Sequence, residues 1–414
     1  MDVDGSATPP DGLTPALCRS LARAVGRFAA GSGSAAERQA VARAAADLGA
    51  GQWPAVPAWA EAAGVGPAAA ASLGGLAPAR VAAALADLAS RTVARGRRLA
   101  EERAVVAAAL SSAGIPYRPL KGAWSAPLAW SPPAARPMAD TDLFVPPALL
   151  PAAQSALEGL GYRPLARTWK HRAFARPAER VVVDARGEHP DNPRPIEVHA
   201  SFGEALRGIA WPGPAAGPFD DAARDAAALA HALGHASVDI LERRLRLVTL
   251  VDIARLAVVL DPATWHRALA SMSHPRAARF AWPALALAER ELGAVLPEGG
   301  AGLAFAVHPA LLRWLDAADL HTVSRAGRAE AVRGILPLAG IWPLDRRERL
   351  AMWRHALVPG RWHLADRYPR LASSPAWPLA YALHAAFSLR LAAVRGGQAL
   401  RRAPRRTRAR PSER

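Results

Sequence analysis

An α+β organisation, with a small mixed sheet set between two mostly helical regions, follows from three features of this 414-residue sequence. Alanine and leucine dominate while β-branched and aromatic residues are sparse, which favours helix over most of the chain. The texture changes at Gly114-Ile115-Pro116, beyond which short apolar runs of strand length alternate with helical stretches. From Asp221 onward the pattern is helical again. A chain this long exceeds one small core, so several domains are expected. The boundaries fall at a helical N-terminal cap over 1–112, a mixed-sheet domain over 113–207, a helical C-terminal domain over 220–394 and a basic tail over 395–414.

Met1 to Gly12 reads as a loose leader. Thr14, with Pro15 at a first helical position, opens a helix to about Ala29. Ser34-Ala35-Ala36-Glu37 is a capping box for a second, ended near Gly49. Pro78 to Ser112 predicts one long helix or two abutting ones, with Gly96 as the weak point. Ile115 to Leu120 is a first strand, Gly122 to Trp130 a short helix, and Ser131 to Pro137 a loop. Asp140 to Val145 makes the second strand, and Pro147 to Leu160 a helix ended by Gly161. Tyr162 to Arg167, Arg172 to Ala175, Val181 to Asp184 and Ile196 to Ala200 form an antiparallel-looking set, followed by a Pro/Gly-rich linker over Gly208 to Phe219.

Hydrophobic content of 51% with 21% charged residues places the chain among globular proteins. Cys18 is its only cysteine, which excludes an internal disulfide and gives no credible nucleophile. Neither a secretory signal nor a transmembrane run is evident, so a cytoplasmic location is expected. The tail from Arg395 to Arg414 sets eight arginines against Glu413 and so carries +7 of the net +17. With few apolar residues and two prolines it predicts disorder, and it is the segment suited to nucleic acid or an anionic membrane. The apolar run Pro378 to Val394 ahead of it adds a membrane-peripheral reading, against which His384 and Arg390 argue for a core helix. Elsewhere no dense basic stripe with interleaved aromatics marks a nucleic-acid track.

Of the 52 basic residues only Lys121 and Lys170 are lysine. In so arginine-biased a chain, a lysine stands out as a compact three-donor charge. Lys121 lies in the Lys-Gly turn ahead of Asp140-Thr141-Asp142, whose two carboxylates share one face of a strand. Two adjacent acids are tolerable around a divalent cation, and oxygen-only ligation suits Mg²⁺ with substrate phosphates. A third acid is offered by Glu197 or by its rival Asp184, Glu197 being favoured by the His199 that follows it. His231 and His235 stand one helical turn apart, but Ala232 breaks the metalloprotease pattern, so supporting histidines at the junction with the sheet are expected. Trp265, Trp282 and Trp353 read as core. No nucleophile elbow, Walker loop or dinucleotide turn is present.

The order Lys121-Gly122, Arg136-x-x-x-Asp140-x-Asp142-Leu-Phe-Val, Leu160-Gly161-Tyr162, then Glu197-x-His199 resembles the polymerase-beta-type nucleotidyltransferase superfamily, and more narrowly its uncharacterised bacterial nucleotidyltransferase family. His231-Ala-Leu-Gly-His235, Leu250-Val251-Asp252-Ile253-Ala254, Leu357-Val358-Pro359 and Arg367-Tyr368 extend the similarity over roughly residues 90 to 390. The resemblance implies a polymerase-beta-like fold and transfer of a nucleoside monophosphate from an NTP to a hydroxyl of a small molecule or protein. It implies two Mg²⁺ ions on Asp140, Asp142 and Glu197, with Lys121, Gly122, Ser125 and Arg136 at the phosphates and His199 in support. Where the superfamily has Gly-Ser, this chain has Gly122-Ala123-Trp124, with Ser125 two positions later. That departure favours the alternative of a non-catalytic nucleotide-binding or interaction protein, one half of a two-protein regulatory system.

Overall fold

The computed structural model describes residues 12–31, 33–168, 170–177, 188–214, 221–324, 340–372 and 374–402. The expected strand at Val181 to Asp184, and with it Asp184, lies outside them. Helices α1 (Pro15–Ala30) and α2 (Ala35–Ala46) start at the expected caps, Thr14 and the Ser34/Glu37 capping box. Two short helices, α3 (Val56–Ala63) and α4 (Gly66–Leu73), follow. The long segment is one unbroken helix, α5 (Ala79–Ser112). Gly96 is no break in it. A Cβ there would overlap the Ala134 backbone, so the glycine lets the loop before the acidic strand lie directly on α5. Gly96→Ala is expected to cost about 1–3 kcal/mol through overpacking despite the gain in helix propensity. A thermal melt showing the variant equal to or above the parent would remove this contact from the account.

The mixed sheet has the order β1-β2-β5-β4-β3. It is built from β1 (Arg118–Pro119), β2 (Thr141–Phe144), β3 (Arg163–Arg167), β4 (His171–Ala175) and β5 (Ile196–His199). Helix α6 (Lys121–Ala129) joins β1 to β2, and α7 (Leu150–Gly159) joins β2 to β3. Only β2 and β5 run parallel, with Asp142 opposite Glu197. Strand β5 also pairs antiparallel with β4, setting His171 opposite His199. The alternation of side chains gives the two faces different tasks. Leu143, Ile196, Val198 and Phe174 are buried with Val106 and Leu110 of α5 and Leu157 of α7 in a core belonging to the sheet. The residues between them along β2 and β5 carry the polar chemistry.

The Gly208–Phe219 linker does not begin as irregular chain. Ile209–Trp211 (β7) pairs with Glu204–Leu206 (β6) across a turn in which Arg207 and Gly208 both have positive φ. That turn geometry closes tight hairpins and explains how a glycine-marked boundary became a strand pair. The helical region then runs through α8 (Asp221–Leu241), α9 (Leu247–Val259), α10 (Pro262–Ser271), α11 (Pro275–Ala278) and α12 (Trp282–Leu292) to later short helices. Its buried side chains and those of α1 to α5 share one apolar core, because α1 packs on α9 and α12. Trp265 is fully buried, whereas Trp353 is 38% exposed and is not the core residue its spacing suggested. The last helix, Leu379–Arg402, continues eight residues into the segment expected to be disordered from Arg395. Alanine, leucine and arginine at its end are good helix formers, and cations suit a helix C-terminus. Among the described residues no helix is long and apolar enough to cross a membrane.

Candidate active site

The acidic strand is held in place from below by α5. Arg95, 1% exposed, donates to the carbonyls of Asn192 (2.6 Å), Pro193 (2.8 Å), His189 (3.3 Å) and Ala139. Ala139 leads into β2 and Pro193 into β5, so one guanidinium fixes the starts of both parallel strands. Two turns along the same helix, Glu102 accepts from Tyr162 Oη at 2.5 Å and from Arg194 Nε at 2.7 Å.

On the polar face, Asp142 is buried and its Oδ1 lies 2.8 Å from Lys121 Nζ and 2.7 Å from His199 Nε2. Burial opposes its charge, but the Lys121 ammonium and the His199 hydrogen bond hold its carboxyl well below the usual range. Lys121 is correspondingly raised against the effect of burial, by Asp142 first and then by Glu197 and Asp140. Its backbone has φ +46°, a strained conformation for a residue with a Cβ and one that recurs at functional sites. Asp140 makes no such hydrogen-bonded pair among the described residues. Burial, and then the charges of Asp142 and Glu197, push its carboxyl up to about 7. A carboxylate pushed toward neutrality by burial and by neighbouring carboxylates is one whose charge a nearby cation would favour. The oxygen donors of Asp140 and Asp142 fit a hard divalent ion such as Mg²⁺, while Glu197, not among the residues lining the cleft, is tied to them by its charge and by the β2–β5 register.

A cleft of about 240 Å³ opens beside the pair. Lys121, Gly122, Ser125, Arg136, Asp140 and Asp142 line one wall. The opposite wall comes from α8 and α9 and the turn between them, with His235, Asp239, Arg244, Arg246, Val248 and Thr249. The N-terminal turn of α6 begins at Lys121, and free N–H groups at such a turn attract anions. Ser125 is 1% exposed and its Oγ has no hydrogen-bond partner among the described residues, so a buried hydroxyl in the cleft wall is left for a ligand.

Arg136 is differently employed from the phosphate-binding role expected of it. Its Nε and Nη2 grip Asp252 of α9 at 2.8 and 2.6 Å, and Nη1 donates to Pro137 O at 3.0 Å. Trp130 Nε1 donates to the same carboxylate at 2.7 Å. Gly122 is required here for space rather than torsion, since a Cβ would overlap Arg136 Nη1. Asp252, noted in the sequence only as part of a helix pattern, is therefore the anchor joining sheet domain to helical region.

The histidines form a file across the same junction. His171 and His199 meet edge to face at 5.1 Å between ring centroids, and His199 and His231 likewise at 5.6 Å. His231 is fully buried, and its Nδ1 lies 3.0 Å from Phe202 O. Burial lowers it to about 3, so it stays neutral. His235 Nδ1 lies 3.3 Å from buried Glu204 and its Nε2 3.5 Å from Asp239. Glu204 also holds Lys170 at 3.0 Å, so each of the two lysines pairs with a buried carboxylate. Sequence reasoning missed His171 and Glu204, because only the β4–β5 register and the β6–β7 hairpin bring them in.

A small mixed sheet with paired acids at the start of its second strand, wrapped in helices, defines a nucleotidyltransferase domain. The chain matches the model of the uncharacterised nucleotidyltransferase family over residues 49–293, more than half its length, and it belongs to that family. The match takes in α3 and α4, ahead of the residues that first suggested the kinship, and stops before Leu357-Val358-Pro359 and Arg367-Tyr368. No curated protein and no solved structure matches the chain.

Proposed function

We propose that this nucleotidyltransferase moves a nucleoside monophosphate from an NTP to a hydroxyl of a small molecule or protein side chain, with Mg²⁺ at the acidic pair. The observation that carries the proposal is the placing of Asp140 and Asp142 in the same cleft wall as the α6 N-terminus and the unpartnered Ser125 hydroxyl. Divalent ions there would neutralise the triphosphate and the charge that develops in an in-line displacement. The α6 amide groups and Ser125 orient the phosphates, while Asp140 and Asp142 supply the negative charge the cations need. The acceptor oxygen attacks the α-phosphorus, the bond to the β-phosphate oxygen breaks, and pyrophosphate leaves. Glu197 accepts the acceptor's proton. Its carboxylate retains 18% exposure, whereas Asp142 Oδ1 is engaged by Lys121 and His199. The α8–α9 wall, with His235, Asp239 and Thr249, receives the acceptor.

Incubation with each labelled NTP, Mg²⁺ and a candidate acceptor tests this by the release of pyrophosphate. Glu197→Gln is expected to cut turnover by roughly 100-fold or more while leaving nucleotide affinity within a fewfold, since a lost general base costs the chemical step. Equal small effects on both would favour the second reading, a nucleotide-binding protein without catalysis. One feature supports that reading: Lys121 and Arg136, the cations expected at the phosphates, are both paired with buried aspartates.

A further inference from the structure

The register of β4 against β5 gathers donors that an Mg²⁺ site does not need. His171 Nδ1 lies 3.2 Å from Glu197 Oε2, and His199 Nε2 lies 3.7 Å from the same oxygen. The three donor atoms all fall within 4.8 Å of one another, the one such three-residue group among the described residues. Tetrahedral ligands on bonds of about 2.0–2.1 Å stand about 3.3 Å apart, so the first two separations are those of a site awaiting a small adjustment. The alternative, an ordinary hydrogen-bonded His–Glu pair, is weakened by orientation. His171 Nδ1 is buried and, despite its 3.2 Å approach to Glu197, makes no hydrogen bond with it or with any described residue.

We infer that His171, Glu197 and His199 form a binding site for a late first-row divalent cation of the Zn²⁺ or Co²⁺ class, on the acceptor side of the acidic pair. Two imidazoles and a carboxylate are a borderline-soft donor set, which Zn²⁺ and Co²⁺ favour and Mg²⁺ does not. Ligation requires both imidazoles neutral, with His199 giving up its Nε2 proton to solvent or to its own Nδ1. His199 Nδ1 is buried without a hydrogen-bond partner among the described residues and is free to carry that proton. The inference rests on the proposed function in sharing Glu197, whose Oε2 faces both histidines and leaves Oε1 for the acceptor's proton. It makes the two metal positions chemically unlike, an oxygen site at Asp140 and Asp142 and a nitrogen-rich site beside it.

The test is titration of the full-length, metal-stripped protein with Co²⁺, followed by visible absorption and by equilibrium dialysis. Co²⁺ in a four- or five-coordinate nitrogen–oxygen site absorbs far more strongly than the octahedral aquo ion. One Co²⁺ per chain is expected, with that stronger spectrum, displaced by stoichiometric Zn²⁺ and retained in millimolar Mg²⁺. His171→Asn should weaken Co²⁺ binding by roughly 100-fold, on the scale of a lost ligand or its supporting shell, while Asp140→Asn leaves it within a fewfold. MgATP binding, measured separately, should survive His171→Asn. A parent protein whose bound Co²⁺ keeps the aquo spectrum, or a folded His171→Asn that binds Co²⁺ as the parent does, overturns the site. If His171→Asn fails to fold, the parent spectrum and its displacement by Zn²⁺ decide alone. Failure of the nucleotide reading shows instead as absent MgATP binding in a parent that still gives the Co²⁺ spectrum.

Discussion

Asp140→Asn and Asp142→Asn should each weaken Mg²⁺-dependent NTP binding by roughly 100-fold or more, because each removes a formal charge from a site that neutralises a cation. Their effects on the apo protein should differ sharply. Asp142 is buried against Lys121 and His199, so its asparagine deprives a largely buried ammonium of its hydrogen-bonded counter-charge, a loss of about 3–5 kcal/mol. Asp140 has like charges as its chief electrostatic neighbours, so its asparagine should leave stability level or raise it. The sign can be checked by pH. A carboxyl raised to about 7 in the folded state binds its proton more tightly there than in the unfolded chain. The parent without metal should therefore lose stability as pH rises from about 4 toward 7, and Asp140→Asn should lack that loss. Isothermal titration with MgATP and chemical denaturation across this range measure both effects. Undiminished MgATP affinity in either folded variant would remove the cation from the acidic pair.

A second large effect is expected far from the cleft. Arg279, 2% exposed, forms a bidentate pair with Glu348 at 2.8 Å for both bonds, donates to Trp342 O at 2.7 Å and lies over the Trp342 ring. This pair ties helix Arg346–Leu357 to the turn before α12. Glu348→Gln should cost about 3–5 kcal/mol, since it leaves a buried guanidinium uncompensated, whereas replacing both residues by leucine and methionine should recover much of the loss. Burial works against the Glu348 charge, but hydrogen bonds from Arg279 and from the Leu344 amide hold its carboxyl below the ordinary value. A depressed carboxyl contributes stability above its unfolded pKa of about 4.3 and loses it as pH falls through the folded value. The gap between parent and variant should accordingly close in acid. A gap unchanged from pH 7 to pH 3 would assign the cost to packing instead.

What the sequence disclosed and what it withheld divide along physical lines. Local rules placed the Thr14 cap, the Ser34/Glu37 box and the acidic strand, since each depends on neighbours within a few positions. The kinship was legible because Asp140-x-Asp142 and Glu197-x-His199 are short patterns on single strands. The roles of Arg136 and His171 were not. Arg136 answers to Asp252, 116 residues away, and His171 gains its meaning only when β4 folds back on β5. The two aspartates looked equivalent in the sequence, and the positions of the Lys121 ammonium and the His199 imidazole separate them. Gly96 read as a helix weakness because propensity sees the backbone alone, not the loop that lies on it.

The Arg95 clamp bears on how this scaffold lends itself to retargeting. A guanidinium sealed under four backbone carbonyls ties the starts of β2 and β5 to α5 through main-chain groups, whatever side chains the loops carry. The half of the cleft that holds the acids is thereby insulated from sequence drift in its own loops. The other half, from α8 and α9, is joined to it through anchors at other positions, Arg136 with Asp252, Trp124 with Asp225 and Arg246 with Glu188. Substitutions at Asp239, Val248 or Thr249 can therefore reshape the acceptor wall without disturbing the spacing of the acids. A library confined to those three positions is the economical way to shift acceptor preference, and any that includes Arg95 would mostly return unfolded protein.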